Sequence, residues 1–316
     1  MPELPEVETI RGQLEPKLLG ATIIDAGSHW SSKFTPALDA VGSEFVAARR
    51  RGKYLIFDLD AGREDAGQGS AGQDDAGQDD AGHDAAGRAD DERDDASLAD
   101  LELIVHLGMT GRLAVHEADA ELARPEALRD DEREPHLRAW WRLDDDRVLT
   151  FHDTRRFGRI HVVDAGEYRD IPTLHALGPE PWDPAFTGKH LAAFVKKSNR
   201  YLKTILLAQR AVAGVGNIYA DEALWDARIN PATRRLSRER ADELVVAVQK
   251  ALESGLTHGG TTLRDYVDSD GEQGGNQHEL ACYGRGGEPC FRCGDELRTR
   301  VLDARTTTYC PTCQAR

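Results

Sequence analysis

Long apolar runs, methionine, aromatic residues and lysine are all scarce in this chain, and each shortage limits what its 316 residues can build. No stretch approaches the roughly 20 consecutive apolar residues that a membrane-crossing helix needs, which excludes a helical membrane protein. The N-terminus has no basic segment leading into an apolar one, the signature of a secretory leader, and a cytoplasmic protein is expected. Five cysteines are too few for a disulfide-built scaffold of this length, and their odd number leaves one thiol over. Only 6% of the residues are aromatic, yet 40% are hydrophobic, enough to fill the cores of two domains.

Positive charge is also short. A net charge of -16 argues against a uniformly basic nucleic-acid binder, but the acids are not spread evenly. Residues 61–100 hold thirteen acidic side chains against three arginines, a balance of -10, and include the tandem copies Ala71-Gly72-Gln73-Asp74-Asp75 and Ala76-Gly77-Gln78-Asp79-Asp80. Almost free of apolar residues, this segment cannot build a core and is expected to be a disordered insertion. Residues 117–134 add eight acids against three arginines, another -5, leaving the remainder at -1. In that remainder Lys196, Lys197, Arg200, Lys203 and Arg210 follow one another with no acid between them. Only eight of the 40 basic residues are lysines, a balance that resembles proteins of salt-loving prokaryotes.

Two local patterns carry chemistry. Cys290-x2-Cys293 and Cys310-x2-Cys313, separated by sixteen residues, form two knuckles able to supply a tetrahedral thiolate cage. Four sulfurs fill the coordination sphere and leave no place for an activated water, so one structural zinc ion is expected, with two disulfides as the alternative. Cys282 is expected to be an ordinary buried or partly exposed thiol. Between the knuckles, Arg298, Arg300 and Arg305 stand among β-branched and aromatic residues, the composition of a short basic hairpin suited to a DNA groove.

The other pattern opens the chain, Met1-Pro2-Glu3-Leu4-Pro5-Glu6-Val7-Glu8-Thr9. Removal of Met1 exposes a secondary amine whose pKa of about 8 leaves about a tenth of it neutral and nucleophilic at pH 7. Condensed with a sugar aldehyde carbon, it gives an iminium with no N–H to lose, which withdraws electrons from neighbouring C–H bonds and promotes elimination. Glu3 and Glu6 put carboxylates within reach to move protons. By residue type alone, a Pro-Glu pair is equally the ordinary start of a helix.

Periodicity predicts an α+β fold. A helix begins near Pro5, with Val7, Ile10, Leu14 and Leu18 on one face and Pro16 weakening its far end. Strand-like runs follow at 21–26, 44–48, 54–59, 101–105, 112–115, 138–143, 148–152 and 159–163, and together they suggest a β-sandwich. Gly178-Pro179-Glu180-Pro181 reads as a linker. Residues 189–210 and 237–258 have helical spacing, the latter capped by Ser237, and Val212-Ala213-Gly214-Val215-Gly216-Asn217-Ile218-Tyr219-Ala220 lies between them. Its glycines permit close backbone approach, although an ordinary interhelical turn would look the same.

The nine-residue opening, the Gly-Val-Gly-Asn segment and the paired knuckles, taken in that order, resemble the formamidopyrimidine-DNA glycosylase family, which removes oxidised purines and then cuts the strand. The resemblance covers nearly the whole chain outside the acidic segments. It implies an N-terminal catalytic β-sandwich with an N-terminal helix (1–177), a linker (178–184), a helix-two-turn-helix domain with a lesion-reading loop (185–280) and a zinc-finger β-hairpin (281–316). It implies a monomer acting on duplex DNA that carries oxidised purines or abasic sites. Pro2 becomes the nucleophile and Glu3 the proton relay, with Lys53 and Arg305 assisting elimination near the lesion's phosphate. Met109, Arg155 and Phe157 fill the void left when the damaged nucleotide leaves the stack. His136, Lys197, Arg200, Lys203, Asn217 and Arg264 contact DNA, with Lys203 binding a phosphate, while Glu6 and Glu222 support the active-site backbone. Three positions depart from the family pattern: Ala208 stands where aspartate is common, Arg264 where lysine is usual, and Gly275-Asn276-Gln277 where an aromatic residue is frequent. An endonuclease VIII-like enzyme for oxidised pyrimidines is the same-fold alternative, although that group typically has Gly in place of Leu4. A zinc-dependent DNA-binding protein without catalysis would keep the four cysteines and not require Pro2.

Overall fold

Helix α1 (Leu4–Leu18) carries the apolar stripe that its spacing predicts, and Pro16 falls in its last turn without breaking it earlier. The stripe is divided between two cores. Val7, Ile10, Leu14 and Leu18 pack into a β-sandwich, whereas Leu4 packs among the C-terminal helices. A fully buried leucine or isoleucine contributes about 1.5–3 kcal/mol relative to an exposed one, so this single helix fastens both halves together. The computed structural model describes residues 2–62, 99–120 and 134–315. The expected disordered insertion at 61–100 and the acid-rich run at 117–134 therefore lie mostly outside the described residues.

The sandwich is built from β1 (Ile23–Ser28), β2 (Glu44–Arg51), β3 (Tyr54–Asp60), β4 (Leu101–His106), β5 (Gly111–His116), β6 (Leu137–Leu143), β7 (Val148–Asp153) and β8 (Arg159–Asp164). Every expected strand is present, each limit within two residues of the predicted one except the end of β2, which runs three residues farther, to Arg51. One sheet runs β1-β6-β7-β5 and the other β2-β3-β4-β8, with all pairs antiparallel. Their facing sides meet through Leu113, Ala139, Trp141 and Phe151 from the first sheet and Phe45, Leu55, Phe57, Leu103 and Val105 from the second. Leu59 pairs with Leu101, and the Asp100 amide donates to the Leu59 carbonyl, so the chain leaves and re-enters the sheet at adjacent points.

After a short turn of helix, α2 (Pro172–His175), the linker is tied down rather than loose. Glu180 accepts from Arg50, Arg51 and the Gly52 amide, and Gly178 and Pro179 bond to the backbone at Gln209 and Ala213. The stretch expected as one helix at 189–210 forms two, α3 (Gly188–Lys196) and α4 (Leu202–Leu207). The cause is tertiary. The amides of Leu202 and Lys203 donate to the carbonyls of Thr233 and Pro231, which takes them out of a continuous helical ladder. Two further helices follow, α5 (Asn217–Asp226) and α6 (Arg238–Thr257), and the Ser237 hydroxyl caps α6 by accepting from the Arg240 amide. The chain closes with the hairpin β9 (Arg298–Leu302) and β10 (Arg305–Tyr309), whose tip, Asp303-Ala304, has positive φ at both residues.

Candidate active site

The N-terminal strand of residues lies across the start of α5, and two glycines make room for it. At Gly214, with φ +82°, a Cβ would come within 2.6 Å of the Leu4 side chain, and at Gly216 a Cβ would meet the Glu3 carboxyl carbon at 2.2 Å. The Leu4 amide donates to the Gly214 carbonyl at 3.1 Å. The Glu3 carboxylate accepts from the amides of Gly216 at 2.7 Å and Ile218 at 2.9 Å, the orphan donors at the positive end of α5. Pro2 and Glu3 are both buried.

Behind Glu3 lies a second carboxylate. Glu6 accepts from the Glu3 amide at 2.8 Å, the Tyr219 hydroxyl at 2.7 Å and the Thr261 amide at 2.7 Å. Burial and the charge of Glu3 push its pKa above the ordinary value, while the donors oppose that rise. Glu6 thus joins α1, α5 and the segment after α6, a supporting role by contact as well as by resemblance. Lys53, at the start of the β3 hairpin strand, is 3% exposed. Burial lowers its pKa against the pull of Glu3 and Glu6, and the charge of Arg305 lowers it further. Those three side chains therefore lie within electrostatic reach of Lys53, which brings together Glu3, Lys53 and Arg305 of the residues expected to carry the chemistry, with Pro2 next to Glu3 in the chain. Glu180 fixes the turn before Lys53: burial would raise its pKa, but Arg50, Arg51 and the Gly52 amide hold it below the ordinary value.

Lys203 requires a correction. Expected to bind a phosphate, it is 0% exposed and forms an ion pair with Asp221 at 2.7 Å. Its ammonium also donates to the Thr306 carbonyl and the Thr307 hydroxyl, each at 3.0 Å, and Asp221 accepts from the Thr308 amide at 2.9 Å. Burial drives the lysine pKa down and the aspartate pKa up. Lys203 is thus a rivet that seats β10 on α4 and α5. Asn217 reinforces it by donating to the Thr306 carbonyl at 3.2 Å. Arg305, just past the hairpin tip, stays exposed, as do Lys197, Arg200 and Arg264. Glu222 accepts from the amides of Ala281, Cys282 and Tyr283 and holds the chain entering the zinc module.

The three residues expected to fill the void, Met109, Arg155 and Phe157, sit on two turns of the sandwich that touch. Met109 lies in the β4–β5 turn, and Arg155 and Phe157 lie in the β7–β8 turn, where the Arg155 guanidinium is 5.2 Å from the Phe157 ring centre. Buried Asp153 ties the turns together by accepting from the Thr110 hydroxyl at 2.6 Å, the Arg155 amide at 3.2 Å and the Gly158 amide at 2.7 Å. Nothing in the sequence singled out Asp153, because a lone aspartate at a strand end is common. His136 is exposed and shares with Arg155, Thr110 and Asp265 a cavity of about 570 Å³.

The four knuckle sulfurs lie within 4.8 Å of one another, and all five cysteines are free of disulfides. A tetrahedral zinc with bonds of about 2.3 Å requires sulfurs about 3.8 Å apart, so the set fits one structural zinc ion. Cys282 is fully buried and donates to the Thr308 carbonyl at 3.2 Å.

Comparison with known proteins agrees along the whole length. Residues 1–160 match the formamidopyrimidine-DNA glycosylase N-terminal domain, 177–267 its H2TH domain, and 287–316 a zinc finger found in FPG and IleRS. The formamidopyrimidine-DNA glycosylase of Deinococcus radiodurans is 38% identical over 99% of this chain and 97% of its own length. That of Thermus thermophilus is 39% identical over 99% of this chain and 98% of its own. Among solved structures, the MutM (Fpg) protein of Thermus thermophilus has a TM-score of 0.77 at 38% identity, covering 100% of this chain and 99% of that one. A Lactococcus lactis Fpg mutant bound to Fapy-dG containing DNA has a TM-score of 0.77 at 29% identity, with 100% of both chains covered. With Glu3 seated on the α5 helix start, the cysteine cage and three family models in sequence, the chain belongs to the formamidopyrimidine-DNA glycosylase family.

Proposed function

We infer that this protein is a base-excision DNA repair enzyme, a glycosylase for oxidised purines that also cleaves the abasic strand. The observation that supports the reading is the seat of the N-terminus, where buried Pro2 adjoins a Glu3 carboxylate that is held by two amides at the start of α5 and acts on the charge of Lys53, as Arg305 also does. With Met1 removed, the Pro2 nitrogen attacks C1′ of an extruded nucleotide, the C1′–N9 bond breaks, and the base leaves with a proton. Glu3 delivers a proton to O4′ as the ring opens, leaving the Pro2 iminium at C1′. Loss of a C2′ proton expels the 3′ phosphate, loss of a C4′ proton expels the 5′ phosphate, and water returns the amine. Lys53 and Arg305 stabilise the departing phosphates. Arg155 donates to the widowed base while Met109 and Phe157 fill the gap.

Among the described residues no helix is long and apolar enough to cross a membrane, and the relatives are bacterial. The same reading places a monomeric enzyme in the cytoplasm of a prokaryote, with the arginine-rich, acidic composition fitting a salt-rich interior. The test is borohydride trapping on a duplex containing 8-oxoguanine. A covalent adduct mapped by peptide mass spectrometry to Pro2 is expected, and an adduct on a lysine refutes the nucleophile. Binding without an adduct or strand cut identifies a DNA-binding protein instead.

A further inference from the structure

The most exposed large apolar side chain among the described residues is Trp30, 82% exposed, in the loop after β1. The loop itself is well anchored. The His29 amide donates to the Arg138 carbonyl and the Phe34 amide to the Ser31 carbonyl, while Phe34 is fully buried with its ring 6.1 Å from that of Phe151. Lys33 fastens the loop to the β7–β8 turn. Its ammonium donates to the Arg156 carbonyl at 2.9 Å, and its own carbonyl accepts from the Ile160 amide at 2.9 Å. Arg156, with φ +57°, stands in the left-handed region between Arg155 and Phe157, so Lys33 holds a strained residue in the middle of the turn that carries both. Charge follows the same line. In a chain with 56 acidic residues, segments 26–38 and 154–163 contain none, and between them they hold Lys33, Arg155, Arg156 and Arg159.

We propose that Trp30 is a DNA contact, packing its indole on sugars and base edges of the strand opposite the lesion. Arg155 faces the widowed base in the mechanism above, so the surface continuous with its turn lies along the undamaged strand. Three residues span at most about 11 Å, which keeps Trp30 within about three base steps, each roughly 3.4 Å, of the anchor at Lys33. A bare indole on a basic, acid-free surface suits that occupant. The cations neutralise phosphates, and the ring covers apolar sugar faces without requiring a particular base. The contact rests on the excision reading, which sets the direction of Arg155.

The test is Trp30→Ala, with Trp30→Phe as the conservative variant, and both should melt with the parent because the indole lies outside the cores. Affinity is measured for a duplex carrying an abasic-site analogue and for the same strand without its complement. Alanine should weaken duplex binding about tenfold, the scale of one aromatic contact with a nucleotide, and phenylalanine should recover most of that loss. Single-strand binding should stay within about twofold of the parent. The slope of log affinity against log salt should not change, because no phosphate contact is lost. Duplex binding should also quench the part of the tryptophan emission that Trp30→Ala removes. Duplex affinity within about twofold of the parent, equal losses on both substrates, or a flattened salt slope would overturn the contact. Parent protein that binds the lesion duplex no better than an undamaged one would overturn the excision reading and this contact with it. A parent that forms the Pro2 adduct beside an alanine variant of full duplex affinity would overturn the contact alone.

Discussion

Replacing Asp153 with alanine removes one acceptor group that serves three donors and two turns at once. The Gly158 amide is buried and has nowhere else to turn, whereas Thr110 and the Arg155 amide lie closer to solvent and can recover part of their loss through water. A buried donor left unpaired costs about 1–3 kcal/mol and a hydrogen bond to a charged acceptor contributes about 1.5–3, so the alanine variant should lose roughly 3–5 kcal/mol. Asparagine should cost only about 1–2 kcal/mol, because its oxygen can serve Gly158 and the Thr110 hydroxyl can rotate to accept from its amide. At about 2–4 °C per kcal/mol for a domain of this size, alanine should lower the melting temperature by about 10 °C. Activity should separate by substrate. In the proposed mechanism Met109, Arg155 and Phe157 all reach the vacated stack of a lesion duplex, and misplacing them by an ångström can cost about a hundredfold. A single-stranded abasic oligonucleotide has no opposing base, so its cleavage should survive at a temperature where the variant is folded. Denaturant unfolding and the two cleavage rates test this directly. An Asp153→Ala protein within about 1 kcal/mol of the parent, or one losing both activities equally while folded, would falsify the role given to the carboxylate.

Three further outcomes are expected. Lys203→Met alone leaves Asp221 buried without its partner and should cost about 3–5 kcal/mol, whereas adding Asp221→Asn should recover part of it; equal stabilities by urea melts would count against the rivet. Chelation of zinc, or Cys293→Ser, should weaken binding to a duplex with an abasic-site analogue at least about tenfold by freeing the hairpin that presents Arg305. Because the Trp225 indole donates to Cys290 Sγ, its fluorescence should change with the metal, and metal-free protein with full affinity would refute the coupling. Burial depresses the Lys53 pKa, so between that lowered value and the ordinary 10.5 the unfolded chain binds more protons and stability rises with pH. Lys53→Met should flatten this alkaline slope in urea midpoints taken from pH 7 to 10 and also slow elimination, and an unchanged slope would argue that the ammonium is not perturbed.

The sandwich was legible because each strand carries its own signal, such as the buried apolar Leu103-Ile104-Val105 run of β4, and the four cysteines were legible because metal spacing is local chemistry. Pro2, Glu3 and Lys53 stood in short recognisable strings. What escaped notice depends on partners distant in sequence. Gln13 meets Asp268 across 255 residues, and nothing near either residue marks the contact. Lys203 looked like another member of a basic run, and only the fold reveals that Asp221 and the hairpin enclose it. The helix read through residues 189–210 failed for a related reason, since Thr233 and Pro231 captured its amides. Local pattern records propensity, while a backbone donor taken by a remote carbonyl leaves no trace in spacing.

The β3–β4 pairing also bears on how this gene can change. Since Leu59 and Leu101 are hydrogen-bonded neighbours, the intervening sequence begins and ends at one spot on the sheet, and its length never enters the sandwich's geometry. Closure entropy grows only as the logarithm of length, about 0.6 kcal/mol per doubling. Tandem Ala-Gly-Gln-Asp-Asp copies are the kind of repeat that replication slippage adds or deletes, and here each five-residue unit would alter the net charge by two while leaving the pairing register untouched. The β3–β4 hairpin thus works as an evolutionary dial for the molecule's net charge, turned at a point where the pairing register does not change.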